Sequence, residues 1–378
     1  MSSPRFPNAR VFAAVDAKAL QHNFRLLHAH ARQASPEACV IAVVKANAYG
    51  HGAELVVPAL TAVGCRRFAV ATLQEALELR RITDAEILIL GYTPPARAPL
   101  LAGHRLTQTL LSPDYAKALS KVAVDAGCRV SVHIKLNGGL CRAGTDTDDE
   151  KGLEEICRQR GLDICGLYTH FPSADTDPVG TKAALTRFLA CKRHLEGLGA
   201  SLFCHAAASA AALTLPESVL NGIRPGLALY GIAPVPTALE LRPALALYAP
   251  IVQIRTVPPG TPVGYGGDFV TSRPARIGTL PLGYADGFCR RLCGLSVTVL
   301  HGGLRFPAPV VGRVSMDQIT LDLTDTPAAV GDTVVLWQNA AVPAAHAGTI
   351  PYEVLTALSP RVKRIRSDAL GHHRKGLP

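Results

Sequence analysis

The sequence has no apolar run long enough to cross a bilayer, because Lys, Arg, Asp and His interrupt its hydrophobic stretches. Residues 1–10 have no hydrophobic segment after their basic residues, so no secretory signal peptide is predicted there. Tryptophan occurs once, and no basic run alternates with aromatic residues. These absences predict a cytoplasmic protein that binds neither membranes nor nucleic acid.

The ten cysteines include no CxxC pair, which argues against a structural zinc site, and no metal site is predicted elsewhere. Without a signal peptide a disulfide framework is not expected either, so the cysteines are predicted to be reduced and mostly buried. The net charge of +10 comes from dispersed basic residues, apart from Arg361–Arg366 and the tail His372–Lys375. Solubility and an anionic cofactor account for this excess.

At 378 residues with 48% hydrophobic residues, the chain is long enough for two domains. Short β-like runs alternate with helical stretches through the first 240 residues or so. Eight such runs are predicted: Cys39–Val44, Arg67–Ala71, Glu86–Leu90, Leu106–Leu110, Arg129–Leu136, Asp163–His170, Leu202–Ala207 and Gly222–Leu229. Eight β/α repeats predict a closed parallel (β/α)8 barrel of the TIM type.

Two local patterns support helices between these strands. Leu20, Phe24 and Leu27 recur at helical spacing, and Thr72-Leu73-Gln74-Glu75 has the pattern of a capping box. Beyond Arg242 the pattern changes to alternation with a period of two, broken by Pro and Gly. Strands are predicted there within Ala249–Val257, Arg276–Leu280, Ser296–Leu300, Val310–Leu323 and Thr333–Trp337, with a hairpin turn at His301–Gly303. The expected domains are therefore a barrel over residues 1–241 and a mostly-β domain over residues 242–378.

One lysine, Lys45, ends an apolar run and is followed by small residues, a tyrosine and two glycines. A lysine at the end of a buried strand is partly desolvated, which disfavours its ammonium form and makes the amine available as a nucleophile. An aldehyde is the natural partner of such an amine, and pyridoxal phosphate (PLP) is the common biological one. An ordinary strand-end lysine that reaches solvent is the alternative for this pattern taken alone.

Polar residues also stand at the ends of other predicted strands, where the active sites of barrels gather. His170 ends the sixth strand, His205 ends the seventh, and Arg224 lies on the eighth. Ser209 and Gly226 lie where barrels commonly bind phosphate, and Tyr49 offers a hydroxyl to the same group. Each residue alone also fits a structural role, Ser209 as a helix cap, for example. Their shared position predicts a site.

The segment Lys45–Gly52 closely resembles the PLP-lysine motif of the alanine racemase family. Further stretches resemble landmarks of that family in the same order along nearly the whole chain. They are Val132–Lys135, Arg142–Gly144, Tyr168–Phe171, His205–Ala211, Ile223–Gly231, Val263–Gly266, Pro281–Gly287, Gly312–Gln318 and Ile350–Glu353. The resemblance implies a PLP-dependent enzyme that interconverts L-alanine and D-alanine, supplying D-alanine for the cell wall or degrading alanine.

Racemisation removes an α-proton from one face and returns one to the other, so two bases are needed. The resemblance implies Lys45 as the base for D-alanine and Tyr265 as the base on the opposite face, acting in the active site of the partner subunit. It therefore implies a homodimer with shared sites. A phenol needs positive charge nearby to act as a base near neutrality, which His170 and Arg224 could supply.

The resemblance also assigns the remaining site residues. Arg224 would face the pyridine nitrogen of PLP and leave it unprotonated, which favours racemisation over decarboxylation. Lys135 would carry a carbamate that pairs with Arg142. The implied cofactor-binding residues are Lys45, Tyr49, Arg142, His170, His205, Ser209, Arg224, Gly226, Leu227 and Tyr352. The implied substrate-binding residues are Arg142, Tyr284 and Met316.

Three positions depart from the family pattern. Ala208 replaces a common asparagine, Asn137–Cys141 replaces a Thr-Gly-Met-rich loop, and Ser315 stands where cysteine is frequent. These changes leave open a racemase that prefers serine or basic amino acids. A non-catalytic PLP-binding homeostasis protein is a further alternative, although such proteins have no second domain to deliver Tyr265.

Overall fold

The computed structural model describes residues 10–370. The chain divides into two compact units. One consists of residues 20–48 and 56–242, and the other combines residues 10–19 and 49–55 with residues 243–370. The sequence-based boundary near residue 242 did not anticipate the two short N-terminal segments that pack with the later part of the chain.

The first unit is the predicted parallel barrel. Its eight strands are Cys39–Val43, Arg67–Val70, Glu86–Ile89, Leu106–Leu110, Val130–Lys135, Leu162–Tyr168, Phe203–His205 and Gly222–Ile223, called barrel strands 1 to 8 below. Neighbours in the chain are neighbours in the sheet, and strand 8 pairs in parallel with strand 1. A bridge between Ala208 and Arg224 closes the ring between strands 7 and 8. The predicted fold class is confirmed, and each predicted run contains a barrel strand. The eighth run, Gly222–Leu229, was predicted too long, because the strand ends at Ile223 and Leu227–Tyr230 forms a 3-10 helix.

Helices alternate with the barrel strands along the chain. They are Ala17–Ala34, Ala53–Thr61, Leu73–Arg80, Ala98–Gly103, Pro113–Asp125, Glu150–Cys157, Pro178–Gly197 and Ser209–Thr214. The capping box is confirmed, since Thr72 Oγ1 accepts the Glu75 amide and the Glu75 carboxylate accepts the Thr72 amide. Leu20 and Leu27 are fully buried and Phe24 almost so, as their helical spacing predicted.

The second unit is built on a nine-stranded sheet. Its strands, in spatial order, are Gln253–Val257, Ala275–Leu280, Ile319–Asp322, Leu304–Val311, Ser296–His301, Thr333–Trp337, Leu245–Pro250, Phe12–Val15 and Lys363–Arg366. All neighbouring pairs are antiparallel except the last, in which Phe12–Val15 runs parallel to Lys363–Arg366. A two-stranded ribbon, Pro262–Val263 with Phe269–Val270, and the helices Ala341–Ala347 and Pro351–Thr356 complete the unit.

The turns and strand bounds of this sheet agree only in part with the sequence prediction. The predicted hairpin is confirmed, because Gly302 and Gly303 both have positive φ and His301 pairs with Leu304. The predicted runs 249–257 and 310–323 are each divided between two strands. Phe12–Val15 was not predicted as a strand of this sheet.

All ten cysteines lie within residues 10–370 and are free thiols. The expectation that most are buried is wrong, because only Cys65, Cys191 and Cys204 are fully buried. Within the part of the chain that the structure describes, no helix has both the length and the apolar character of a membrane span.

Candidate active site

Lys45 lies two residues beyond barrel strand 1, and its backbone is fixed from both sides. The amide of Val44 donates to the carbonyl of Ala69 at 2.8 Å, and the amide of Val43 donates to the carbonyl of Pro225 at 3.2 Å. The chain then leaves the barrel through a left-handed turn, in which Ala46, Asn47, Ala48 and Tyr49 all have φ near +50°. This conformation costs about 1–2 kcal/mol for each residue that has a side chain. Other contacts must hold the turn.

The surroundings of Lys45 favour a neutral amine. Burial lowers the pKa of Lys45 from its ordinary value, and the positive charge of Arg142 lowers it further. The carboxylate of Glu75 acts in the opposite direction. A lowered pKa increases the share of neutral amine, which is the direction that a nucleophilic lysine needs.

Arg224, beside barrel strand 8, makes a dense set of hydrogen bonds inside the barrel. Its Nη1 donates to Nδ1 of His205 at 2.8 Å and to the His205 carbonyl at 2.7 Å. Its Nη2 donates to the carbonyls of Thr169 at 2.6 Å and Ala206 at 3.0 Å. These contacts tie the ends of barrel strands 6, 7 and 8 together.

One N–H group of Arg224 has no acceptor among the described residues. A guanidinium has five N–H donors, and four of those of Arg224 are used by protein acceptors. Among the described residues, none accepts a hydrogen bond from its Nε–H. Burial lowers the pKa of Arg224 to about 10, so the side chain is still protonated near neutrality. Arg224 therefore presents one fixed, charged donor.

Two histidines extend this network into the barrel. Because arginine can only donate, Nδ1 of His205 must be an acceptor and its Nε2 must carry the proton. That Nε2 lies 2.9 Å from Nδ1 of His133, which is then also an acceptor. Burial and the nearby arginines lower the pKa of His133 to about 3 and that of His205 well below its usual value. Both rings are therefore neutral.

The position of His133 was missed as a site residue, although its motif was noticed. It precedes Lys135 by two residues on the same strand, so the two side chains point to the same face. This spacing could have predicted that His133 lies near the site. Its ring lies against Gly166, where an added Cβ would be 2.4 Å from the imidazole. A glycine is needed there because no side chain fits.

Tyr168 stacks on the face of the His205 ring. The two rings are stacked with centroids 4.8 Å apart and an interplanar angle of 6°, and Cζ of Arg224 lies 5.1 Å from the Tyr168 ring centre. The Tyr168 hydroxyl is 2.9 Å from Oγ1 of Thr109. Burial raises the pKa of Tyr168 to about 12, so it is a packing partner of the network and not a base.

Ser209 and Gly226 meet as the sequence predicted. The Ser209 hydroxyl oxygen accepts the amides of Gly226 at 3.0 Å and Ala228 at 3.3 Å, and its side chain is buried. Leu227 lies between these two amides and is also buried. These two amides are used by Ser209, whose hydroxyl keeps its own hydrogen as a donor at the ends of barrel strands 7 and 8, where barrels commonly bind phosphate.

Lys135 ends barrel strand 5 in a strongly cationic environment. It is buried, and burial together with the charges of Arg142, Arg224 and Lys45 lowers its pKa to about 8. The same arginines add to burial in lowering the pKa of His170 to about 3, so its ring is neutral near pH 7 and the expectation that it supplies positive charge is wrong. A lysine amine held among cations is suited to conversion into an anion.

Arg142 is exposed and follows a loop that a single side chain organises. Oδ1 of Asn137 accepts the amides of Gly139 and Cys141, each at 3.1 Å. Nδ2 of Asn137 donates to Asp146 at 2.8 Å. The loop that departs from the family pattern is therefore ordered by its own asparagine.

The second unit holds the remaining predicted residues. Tyr49 packs against Tyr352 with ring centroids 5.9 Å apart, and burial and this neighbour raise the pKa of Tyr49. Tyr265 is 74% exposed, and it lies between Gly264 and Gly266, both of which have positive φ. The turn after Tyr265 is held by an ion pair between Asp268 and Arg313.

Tyr284 and Met316 lie on adjoining loops of the same unit. The Tyr284 amide donates to the carbonyl of Ser315 at 3.1 Å, and the Ala285 amide donates to that of Met316 at 3.1 Å. Tyr284 is 43% exposed and Met316 is 53% exposed. Like Tyr265, both side chains are therefore accessible at the surface of this chain.

The donors and nucleophile of the barrel unit fit PLP. Lys45 would offer its amine to the aldehyde, the Ser209 hydroxyl would donate its hydrogen to the phosphate, and Nε–H of Arg224 would donate to the ring nitrogen. All three lie at the carboxyl ends of barrel strands. Such an arrangement is that of a (β/α)8 barrel enzyme.

Comparison with known proteins narrows this class. Residues 15–234 match the family model "Alanine racemase, N-terminal domain", and residues 244–366 match "Alanine racemase, C-terminal domain". The chain is 40% identical to an alanine racemase from Carboxydothermus hydrogenoformans, over 94% of this chain and 99% of that protein.

Two solved alanine racemases have the same fold. One from Bartonella henselae, with covalently bound pyridoxal phosphate, has a TM-score of 0.84 and 30% identity over 95% of this chain and 100% of the other. One from Bacillus anthracis, with bound L-Ala-P, has a TM-score of 0.85 and 32% identity over 95% of each chain. The chain therefore belongs to the alanine racemase family and is an isomerase.

Proposed function

We propose that this chain interconverts L-alanine and D-alanine with PLP bound covalently to Lys45. The observation that carries the proposal is the paired state of Arg224 in a member of this family: among the described residues, only its Nε–H has no acceptor. The other proposed cofactor-binding residues are Tyr49, Arg142, His170, His205, Ser209, Gly226, Leu227 and Tyr352.

When bound, PLP withdraws electrons from the α-carbon of the attached amino acid and so acidifies its α-proton. Arg224 moderates this effect, because it remains protonated and gives a hydrogen bond without giving up its proton. Its four protein acceptors hold it in place. This arrangement favours return of a proton to the same carbon over other reactions.

Two side chains of the protein move the proton in this proposal. Lys45 is the base for D-alanine, since its lowered pKa supplies neutral amine. Tyr265 is the base for L-alanine and acts in the site of the partner subunit of a homodimer. Its exposure in a glycine-flanked turn supports this role, because the side chain is available to a second chain. Met316 and Tyr284 would bind and confine the substrate, as would Arg142.

The proposal is tested with PLP-loaded protein and L-alanine in D2O, followed by circular dichroism and by α-deuterium content. Loss of optical activity with deuterium at the α-carbon is expected. Exchange without inversion would mean one working base and would contradict the two-base assignment. Parallel rates on serine, lysine and arginine distinguish an alanine racemase from one of broader specificity. Cofactor binding without exchange of any amino acid would instead indicate a PLP-binding homeostasis protein.

The shared site is tested by mixing two inactive variants, Lys45→Ala and Tyr265→Phe. A mixed dimer has one site with both native bases only if Tyr265 serves the partner, so random mixing should restore about a quarter of the original activity. No restored activity would contradict the shared site. Tyr92→Phe, which alters another well-exposed tyrosine, is the control and should leave the rate unchanged.

We place this activity in the cytoplasm, where D-alanine would be supplied for the cell wall or L-alanine would be degraded. The regions proposed for it are residues 1–241, which contain the barrel, and residues 242–378, the β-rich domain that carries Tyr265.

A further inference from the structure

The carboxylate of Glu75 connects two backbone segments at the mouth of the barrel. Its Oε1 accepts the amide of Ala46, the residue after Lys45, at 2.7 Å. Its Oε2 accepts the amides of Ala71 at 2.7 Å and Thr72 at 3.2 Å. One side chain on the helix after barrel strand 2 thus reaches across to the turn after barrel strand 1.

The register of the two strands explains why an acceptor is needed there. Val43 is paired with Ala69 in the parallel ladder, and the Val44 amide donates to the Ala69 carbonyl. Two residues further, a continued ladder would pair the Ala46 amide with the Ala71 carbonyl. The left-handed turn begins at Ala46, however, and Glu75 supplies the acceptor in place of Ala71.

A capping role alone does not account for this geometry. In a capping box the glutamate needs to accept only the amide of the cap residue, here Thr72, and that contact is the longest of the three. The two shorter contacts, to Ala46 and Ala71, lie outside the box. The carboxylate therefore binds the turn that carries Lys45 at least as closely as it caps its own helix.

We propose that Glu75 is a positioning residue for Lys45, whose amine it orients by holding the left-handed turn against the helix of residues 73–80. The inference rests on the proposed function, in which Lys45 is one of two bases. A strained turn of residues with side chains needs such an anchor, because otherwise it relaxes and the lysine moves with it. Small displacements of a catalytic base reduce rates strongly.

The test uses Glu75→Gln, which keeps the size of the side chain and one acceptor oxygen, so that the helix can still be capped. Glu78→Gln removes the same charge one turn later on the same helix, where the side chain is exposed. Thr72→Ala removes the other half of the capping box without touching the contact to Ala46. Circular dichroism and PLP content establish that all three variants are folded.

The first readout is backbone hydrogen exchange of the peptide that contains Ala46, measured by mass spectrometry. Exchange at Ala46 should be about tenfold faster in Glu75→Gln and unchanged in both controls. Unchanged exchange in Glu75→Gln would overturn the inference, whether or not the protein is a racemase.

The second readout is the isotope effect with α-deuterated alanine of each hand. In Glu75→Gln the rate should fall about 10- to 100-fold. The isotope effect should rise for D-alanine, whose deuteron Lys45 removes, and fall for L-alanine, whose deuteron Tyr265 removes. Equal changes for the two would mean a general loosening of the site and would overturn the inference, as would no change in either.

A third readout separates this inference from the proposed function. If the unmodified protein does not racemise alanine, the proposed function is wrong. The rate at which Lys45 is captured by PLP and trapped with borohydride then decides the role of Glu75. It should be about tenfold lower in Glu75→Gln than in Glu78→Gln, and equal rates would overturn the inference.

Discussion

Nη1 of Arg224 donates a hydrogen bond to Nδ1 of His205 at 2.8 Å, between residues 19 positions apart in the chain. A side chain that is always charged is thereby held against a ring that must remain neutral, because the protonated ring has no lone pair to offer. His133 accepts the remaining proton of that ring at 2.9 Å. The charge, the tautomers and the orientation of these three side chains are consequently linked.

Replacement of His133 tests this link through stability. His133→Phe keeps a planar ring against Gly166 but removes the acceptor of the His205 Nε2–H, so it should lower the free energy of unfolding by about 1–3 kcal/mol. His133→Asn places an acceptor oxygen near the position of Nδ1 and should restore part of the loss of hydrogen bonding. Urea unfolding measures both. A smaller loss for His133→Phe than for His133→Asn would contradict the assigned tautomers.

The same histidine should make the protein sensitive to acid. The pKa of His133 falls from 6.5 to about 3 on folding, so between these values the unfolded chain binds a proton that the folded chain does not. Stability therefore decreases as pH falls from about 6.5 toward 3. His133→Phe should show a shallower decrease in urea unfolding series over this range. An identical slope in the variant would mean that other groups control the acid sensitivity.

Lys135 should be converted to a carbamate above neutral pH. Carbon dioxide reacts with the neutral amine, and the pKa of Lys135 is lowered to about 8, so the neutral form is already common there. Protein incubated with 13C-bicarbonate at pH values above this pKa should give a carbamate signal in 13C NMR, weaker as the pH is lowered. Lys135→Met should give none. A spectrum of the unmodified protein without that signal would show that Lys135 remains an amine.

Arg224→Lys should abolish most of the racemase activity while leaving a positive charge in place. An ammonium has three donors for the four acceptors that Arg224 serves, and it has no counterpart of the Nε–H. We expect kcat to fall by about 100-fold or more, measured by circular dichroism with D-alanine. PLP content and thermal unfolding serve as controls for folding. A kcat close to that of the unmodified protein would show that charge alone is sufficient.

Asp286 should be a centre of stability in the second unit. Its buried carboxylate accepts the Gly283 amide at 3.0 Å, pairs with Arg10, and lies 3.4 Å from Nε of Arg361. Asp286→Ala leaves the Gly283 amide without its acceptor, whereas Arg10 and Arg361 are 36% and 45% exposed and can be hydrated, so the variant should cost about 1–3 kcal/mol in urea unfolding. Asp325→Ala, which breaks an exposed pair with Arg273, should cost less than about 1 kcal/mol. Equal losses would contradict the importance of burial.

Local chemistry made much of the barrel predictable. Apolar runs of strand length predicted all eight barrel strands, and the capping box at Thr72 predicted the start of a helix. The positions of Ser209 and Gly226 at strand ends were sufficient to predict that they lie close together, because parallel strands end at the same edge of a sheet. Family motifs then added Tyr265, Tyr284 and Met316, whose roles remain predictions.

Other features depended on contacts between distant segments. Phe12–Val15 is a short apolar run that is compatible with either sheet. Its pairing with Leu245–Pro250 and Lys363–Arg366 places it in the nine-stranded sheet. The left-handed turn after Lys45 was not predicted, since alanine and tyrosine rarely adopt positive φ. Glu75 was predicted only as a cap.

The sequence by itself determined the barrel, the strand-end lysine and the kind of cofactor that such a lysine can bind, because these follow from hydrophobic periodicity and from the chemistry of single residues. The tertiary structure alone decided which atoms meet. It set the neutral tautomers of His205 and His133, the single remaining donor of Arg224, and the acceptor that Glu75 provides to Ala46. A hydrogen bond requires the donor–acceptor distance to be correct to within a few tenths of an ångström. These donors and acceptors lie on segments far apart in the chain, and no local sequence pattern encodes such distances.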